Sequence, residues 1–273
     1  MHAKGGAGGL KKSASHNSMA SKVSTRAPAE SSAASSSATS DSGSDKDRLS
    51  PTSRPSLTIA ALDGVNHVLS LPVKDLTVTP AQDLAGMPRD DVAVDLALTD
   101  ADAAPAYRSM GGMRGLGALV RSLATAGALE TILRMSVEYA NDRVQFGRPI
   151  GKFQSIQQYL ATMAGETAAA RAAAEMAAGS YDTAAFALTV AAAKSRSGEA
   201  AQTVGALAHQ IHGAIGYTEE HALHHFTKRI WSWQDEFGTE LDWNRELGRA
   251  ALSSPHDTFW HFITDSTAQG VLT

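Results

Sequence analysis

Tyr139-Ala140-Asn141-Asp142-Arg143-Val144-Gln145-Phe146-Gly147-Arg148-Pro149-Ile150-Gly151-Lys152-Phe153-Gln154-Ser155-Ile156-Gln157 is the stretch on which the fold turns. Phe146-Gly147 and Pro149 stop a helix, Gly151 permits a tight reversal, and a second helix starts near Phe153. Arg143 falls near a helix C-terminus, where the macrodipole is negative, and its guanidinium has the fork geometry that grips a diphosphate. Upstream, Leu116, Leu119, Val120, Leu123, Leu129, Ile132, Leu133 and Val137 recur at helical spacing, which predicts a first helix from Met110 through Tyr139. Downstream, the pattern predicts an alanine-rich second helix to about Tyr181, a third over 183–212 ended by Gly213, and shorter ones over 219–233 and 240–252.

Long helices joined by short connections predict an up-and-down four-helix bundle over 109–254, so the chain is expected to be mainly α. The third helix closes on Gln210-Ile211-His212-Gly213-Ala214-Ile215-Gly216-Tyr217, where glycine lets the backbone reverse and come close to a ligand.

The other regions read differently. Residues 1–56 are crowded with Ser, Ala, Gly and Thr without apolar periodicity, as in Ser31-Ser32-Ala33-Ala34-Ser35-Ser36-Ser37, and are expected to form a disordered tail. Over 57–108 apolar residues alternate in Val68-Leu69-Ser70-Leu71-Pro72-Val73, in Leu76-Thr77-Val78 and in Val92-Ala93-Val94-Asp95-Leu96-Ala97-Leu98. Period two predicts about three strands with one buried face, a small β piece ahead of the bundle, and 255–273 is expected to be an extension behind it.

The chain has 273 residues and a formal net charge of -4, so it lacks the basic excess that tracks nucleic acid, and no nucleic-acid partner is expected. Cysteine is absent, which excludes disulfides, thiolate metal ligands and Cys nucleophiles and fits a cytoplasmic setting. No uninterrupted apolar run approaches the roughly 20 residues of a bilayer span, so none is expected. His209 and His212 lie three apart on one helix, with His221, His224 and His225 following, but the adjacent acids Glu219 and Glu220 do not share a helix face with them. No metal site is expected. Trp231, Trp233 and Trp243 are expected to fill the core.

The first stretch is similar to the turn that joins the first two helices of the C-terminal domain in the acyl-CoA dehydrogenase family, where Arg-x-Gln-Phe-Gly precedes Ile-Gly and Phe-Gln-x-Ile-Gln. The second resembles that family's Gln-Ile-x-Gly-Gly-x-Gly-Tyr turn, with Ala214 in place of the second glycine. The resemblance implies FAD as cofactor, an acyl-CoA thioester as substrate, and α,β-dehydrogenation. It implies Arg143, Gln145, Phe146, Gln210, Gly213, Ala214 and Thr239 as cofactor-binding, part of that set reaching the flavin of a neighbouring subunit. Homo-oligomers, or hetero-oligomers with a related subunit, are therefore expected.

The family's base is in most members a Glu just before Gly-Thr; here Trp233-Gln234-Asp235-Glu236-Phe237-Gly238-Thr239 puts Phe237 at that position. Glu236, one residue earlier, is the catalytic candidate. The family's strand-loop motifs resembling Thr-Glu-Pro-x-Ala-Gly-Ser-Asp and Trp-Ile-Thr-Asn are not found. The other reading is accordingly a non-catalytic bundle that completes the FAD site of a full-length partner.

Overall fold

The computed structural model describes residues 55–62, 65–96, 102–106 and 110–253. Expectations for 1–54 and for 255–273 lie outside the described residues. The chain divides into two compact units, one holding the strands and one holding residues 80–89 with the helices.

In the strand unit, β1 (Pro55–Leu62) pairs antiparallel with β2 (Val65–Pro72), in a register that sets Ile59 opposite Val68. β2 also pairs with β5 (Ala103–Pro105), setting Val68 opposite Ala104. The period-two reading holds on β2, where Leu69 and Leu71 are buried against Leu76, Val94 and Ala103 while Ser70 faces out. It fails on β3 (Thr77–Thr79) and β4 (Asp91–Ala93), which pair as a short ribbon with every position exposed. Of the run expected to be one strand over 92–98, Val92 and Ala93 pair in β4, Val94 lies in a bridge, and 97–98 fall outside the described residues. Alternation records a preference for burial, and a two-stranded ribbon offers no second layer to satisfy it.

The helical unit is built on α1 (Met110–Asp142), α2 (Gln154–Gly179) and α3 (Phe186–His212), followed by α4 (Leu223–Asp235) and α5 (Glu240–Ser253). The chain is mainly helical, as its spacing predicts. α1 buries Ala118, Leu119, Ser122, Ala126, Leu129, Ile132, Ser136 and Ala140, a continuous row at three- and four-residue steps. α2 meets it through Ala170, Ala174 and Ala177, whose small side chains let the helix axes draw close. α3 lies at the centre. Its Val204, Ala208 and Ile211 join Leu129, Ile132, Met163, Leu223 and Ile230 in one core cluster, while Val190, Ala191 and Ala193 join Leu119, Phe186 and Trp243 in another.

Trp231, Trp233 and Trp243 serve this packing: Trp243 is buried, and Trp231 and Trp233 lie against the first cluster. α1 alone, among the described residues, is long and apolar enough to cross a membrane by length and composition, although its apolar residues form no uninterrupted run. Its apolar row faces α2 and α3 instead. The bundle surface carries cross-helix ion pairs, Arg171 with Glu130 and Arg196 with Glu166.

Candidate functional site

The sequence-selected residues fall into two groups at separate places on the bundle. The first lies where α1 and α3 end. Arg143 closes α1, its N–H donating to the Tyr139 carbonyl and its own carbonyl accepting from Ile150. Beyond it, β6 (Val144–Gln145) and β7 (Arg148–Pro149) form a two-residue hairpin with Phe146 and Gly147 at its tip, both at positive φ (53° and 79°). Two successive left-handed residues give the tight turn whose twist suits a hairpin. Phe146 is 92% exposed, although apolar, and its ring meets the edge of Phe153.

α3 ends beside this hairpin's base: the Tyr139 ring stacks on His212 with centroids 4.5 Å apart. Gly213 takes φ 65°, a conformation that favours glycine, and a 3-10 turn runs from Gly213 to Tyr217. Gln210, Gly213 and Ala214 are exposed. Ala214 therefore adds its methyl group without filling space needed by the protein itself. Arg143, Gln145 and Phe146, and Gln210, Gly213 and Ala214, thus lie in two exposed turns at the same end of the bundle, and an exposed guanidinium and an open glycine turn are groups that suit a dinucleotide diphosphate.

The second group lies where α4 passes into α5. The Glu236 carboxylate, 5% exposed, is held by two guanidiniums: Arg121 Nε of α1 at 2.5 Å and Arg89, from the 80–89 segment, at 2.9 Å. Asp83 of the same segment accepts a hydrogen bond from the Ser232 hydroxyl at 2.7 Å, so this segment is tied to α4 at two points. Phe237 has φ 57°, and its carbonyl accepts from Arg114 Nε and from Trp243 Nε1, each at 3.2 Å. Its ring covers Gly117 of α1 so closely that a Cβ there would come within 2.5 Å of three ring carbons.

Lys194 of α3, 3% exposed, donates to the Trp233 and Gln234 carbonyls at 3.0 and 2.8 Å, satisfying the end of α4. Burial pushes its ammonium down to about 8, against the opposing pull of Asp235 and Glu236. Thr239 caps α5: its N–H and hydroxyl donate to Asp242, and the Asp242 N–H donates back to the hydroxyl. The Thr239 hydroxyl bond holds the Asp242 carboxyl below its usual range.

These two groups are far apart within one chain. Arg121, the partner of Glu236, and Arg143 are separated by about 33 Å along a helix rising 1.5 Å per residue. Sequence reasoning selected Glu236 and Thr239 but missed Arg89, Arg114, Arg121 and Lys194, which hold that turn. Of these only Lys194 carried a signal, a cation inside an otherwise small and apolar helical run. It also missed the imidazole–aromatic packing at the other end. Among the described residues no three His, Asp or Glu side chains converge as metal ligands; the histidines stack instead.

A bundle whose first and third helices finish side by side in exposed turns, with a glycine-threonine turn ahead of its last helix, is an up-and-down helical domain. Residues 112–240 match the family model for the acyl-CoA dehydrogenase C-terminal domain, and this segment is identified as that domain. Among its relatives, an acyl-CoA dehydrogenase, IpdE2, of Mycobacterium tuberculosis is 38% identical over 118 residues, 43% of this chain and 36% of that protein. An acryloyl-CoA reductase (NADH) of Anaerotignum propionicum is 44% identical over 98 residues, 36% of this chain and 25% of that protein. The ChsE4-ChsE5 complex from Mycobacterium tuberculosis contains a similar chain, with a TM-score of 0.70 and 25% identity, covering 75% of this chain and 57% of that one. The chain spans from a quarter to somewhat over a third of the length of the curated relatives it matches first.

Proposed function

We propose that this chain is a soluble, cytoplasmic FAD-dependent oxidoreductase that works on an acyl-CoA thioester, and that its two candidate groups serve two different flavins. The supporting observation is their separation: about 33 Å of helix lies between the Glu236 turn and the Arg143 turn, more than one dinucleotide site accommodates. Two or more chains, alike or related, are then needed to complete one site. Arg143, Gln145, Phe146, Gln210, Gly213 and Ala214 would hold the diphosphate side of a neighbour's FAD, and Thr239 would lie on the side of the chain's own. FAD, when bound, supplies the hydride acceptor for the β-carbon.

The role proposed for this chain is to take the α-proton on Glu236. A general base must come within hydrogen-bond reach of the proton it takes, and Glu236, buried with a guanidinium on each oxygen, is opened to substrate most directly by the departure of one of the two. Arg89, 46% exposed, is the one that water can receive more readily.

The covering of Gly117 by Phe237, together with the doubly paired Glu236, favours a second reading, in which the bundle is a non-catalytic subunit that completes the FAD site of a full-length partner. Purification separates the two. The enzyme reading expects a yellow protein whose flavin absorbance bleaches with an acyl-CoA. A colourless protein that gains flavin only when mixed with a full-length relative would overturn it in favour of the subunit.

A further inference from the structure

His209 and His212 are 5% and 3% exposed, and each has one ring nitrogen engaged and one without a partner. His209 Nε2 meets the Thr227 hydroxyl at 3.0 Å while its Nδ1 is bare; His212 Nδ1 donates to the Ala208 carbonyl at 2.8 Å while its Nε2 is bare. A neutral imidazole tolerates this, since one nitrogen carries a proton and the other only a lone pair.

The rings hold the Gly213–Tyr217 turn in place. Tyr217 stacks on His209 with centroids 4.0 Å apart, Trp231 also stacks on His209 at 5.5 Å, and the Gly216 backbone sits so near that a Cβ there would come within 3.2 Å of His209 Nδ1 and 3.1 Å of His212 Cβ. His212 is stacked on Tyr139 and meets His221 edge-on. Neither bare nitrogen can gain a partner while the turn stays seated.

We infer that this turn is a proton-operated latch: neutral His209 and His212 keep it seated against α3 and α4, and protonation of either ring releases it. The surrounding groups decide the direction. From α1 the facing group is Tyr139, from the turn Tyr217, from the following loop His221, and from α4 Thr227, Trp231 and His224, with His225 beside His224. The carboxylate in this neighbourhood, Glu219, is 3.9 Å from His224 Nε2 and almost fully exposed, and neither His209 nor His212 pairs with it.

A cation formed on either ring gains a stacking attraction to Tyr or Trp, but less than an uncompensated buried charge costs. Burial accordingly holds both imidazoles below their ordinary value, with His224 adding to the effect on His209, and His221 and His209 on His212. The open turn binds protons more tightly than the seated one, so acid favours opening and the turn is seated above the ordinary imidazole value. The latch rests on the bundle geometry; only its consequence, that acid weakens dinucleotide binding at this end, rests on the flavoprotein reading.

Hydrogen exchange of the full chain at pH 7.5 and 5.5, corrected for intrinsic rates, tests this. An imidazole of ordinary value 6.5 that is protonated only in the open form raises opening by at most about tenfold over this interval, and two by at most about a hundredfold. We expect more than about a fivefold rise in peptides covering 213–221 in the wild type, with α1 unchanged. His209→Phe with His212→Phe keeps the rings and removes the protons, and should abolish the rise. His212→Phe alone, which leaves the Thr227 bond intact, should at least halve it and serves if the double variant does not fold. Equal exchange at both pH values in the wild type, or an undiminished rise in the variants, overturns the latch without bearing on flavin or substrate.

Discussion

Replacing Glu236 by Gln separates an anchoring carboxylate from a catalytic one. The side chain keeps its shape but loses the charge that two guanidiniums share, at 2.5 Å to Arg121 and 2.9 Å to Arg89. Removing one partner of a buried ion pair costs about 3–5 kcal/mol when the surviving charge stays buried. Here the survivors are 31% and 46% exposed, so water recovers part of that energy and the expected loss is about 2 kcal/mol. In a domain of this size that lowers the thermal midpoint by roughly 4–8 °C.

The assay is urea unfolding of wild type, Glu236→Gln, Arg89→Met and the double variant. Because Arg89 reaches Glu236 from a segment otherwise tied down at Asp83–Ser232, the two single changes should be non-additive, with a coupling of about 0.5–1 kcal/mol. A stability equal to wild type within about 0.5 kcal/mol, or strict additivity, refutes the anchoring argument. In a chain that does turn over, complete loss of flavin reduction with unchanged stability marks a base; retained reduction with lowered stability marks an anchor.

Other outcomes follow from the same turn. Lys194 binds its proton less tightly folded, at about 8, than unfolded, at its ordinary 10.5, so its contribution to stability rises with pH across that window, by an order of 3 kcal/mol in all. The difference in unfolding free energy between wild type and Lys194→Met, taken at pH 7.5, 9 and 10.5, should shift in favour of wild type as pH rises. Thr239→Ala removes the hydroxyl that caps α5 and should cost about 1 kcal/mol by urea unfolding, with little further loss when Asp242→Ala is added. Gly238→Ala should cost at least about 2 kcal/mol: the position has φ 103°, and a methyl there would collide with the Arg114 guanidinium and the Trp243 indole. Thermal unfolding followed by circular dichroism reads it.

Legibility in the sequence followed the range of the interactions. Helix ends were readable because their signals are local. Gly147, Pro149 and Gly213 act within a few residues, and the observed ends of α1 and α3 at Asp142 and His212 lie where those residues place them. The gathering of Arg143 and Gln210 at one end came from order and length alone, since two long helices joined by short turns must bring the first and third ends together. What stayed hidden is what chain separation hides. Arg121 lies 115 residues from Glu236, and nothing local to either predicts their pairing. Glu236 was legible as a carboxylate near the expected place, but not as one already engaged. The histidines, read as a weak metal pattern, are aromatic packing elements, because their spacing on α3 turns them toward Tyr139, Tyr217 and Trp231. β3 and β4 were overextended because alternation speaks of faces and not of pairing length.

Helix α1 behaves as a lever with a load at each end. Ser122 and Ser136, both buried, turn their hydroxyls back to the carbonyls of Ala118 and Ile132, and such back-bonding bends a helix slightly. With about 30–40 Å of helix between either serine and the far end, about two degrees of added bend moves that end by roughly 1 Å, a displacement large enough to cost an enzyme about a hundredfold in rate. Curvature set at two serines that touch no ligand therefore fixes how well opposite extremities of the domain keep their aim.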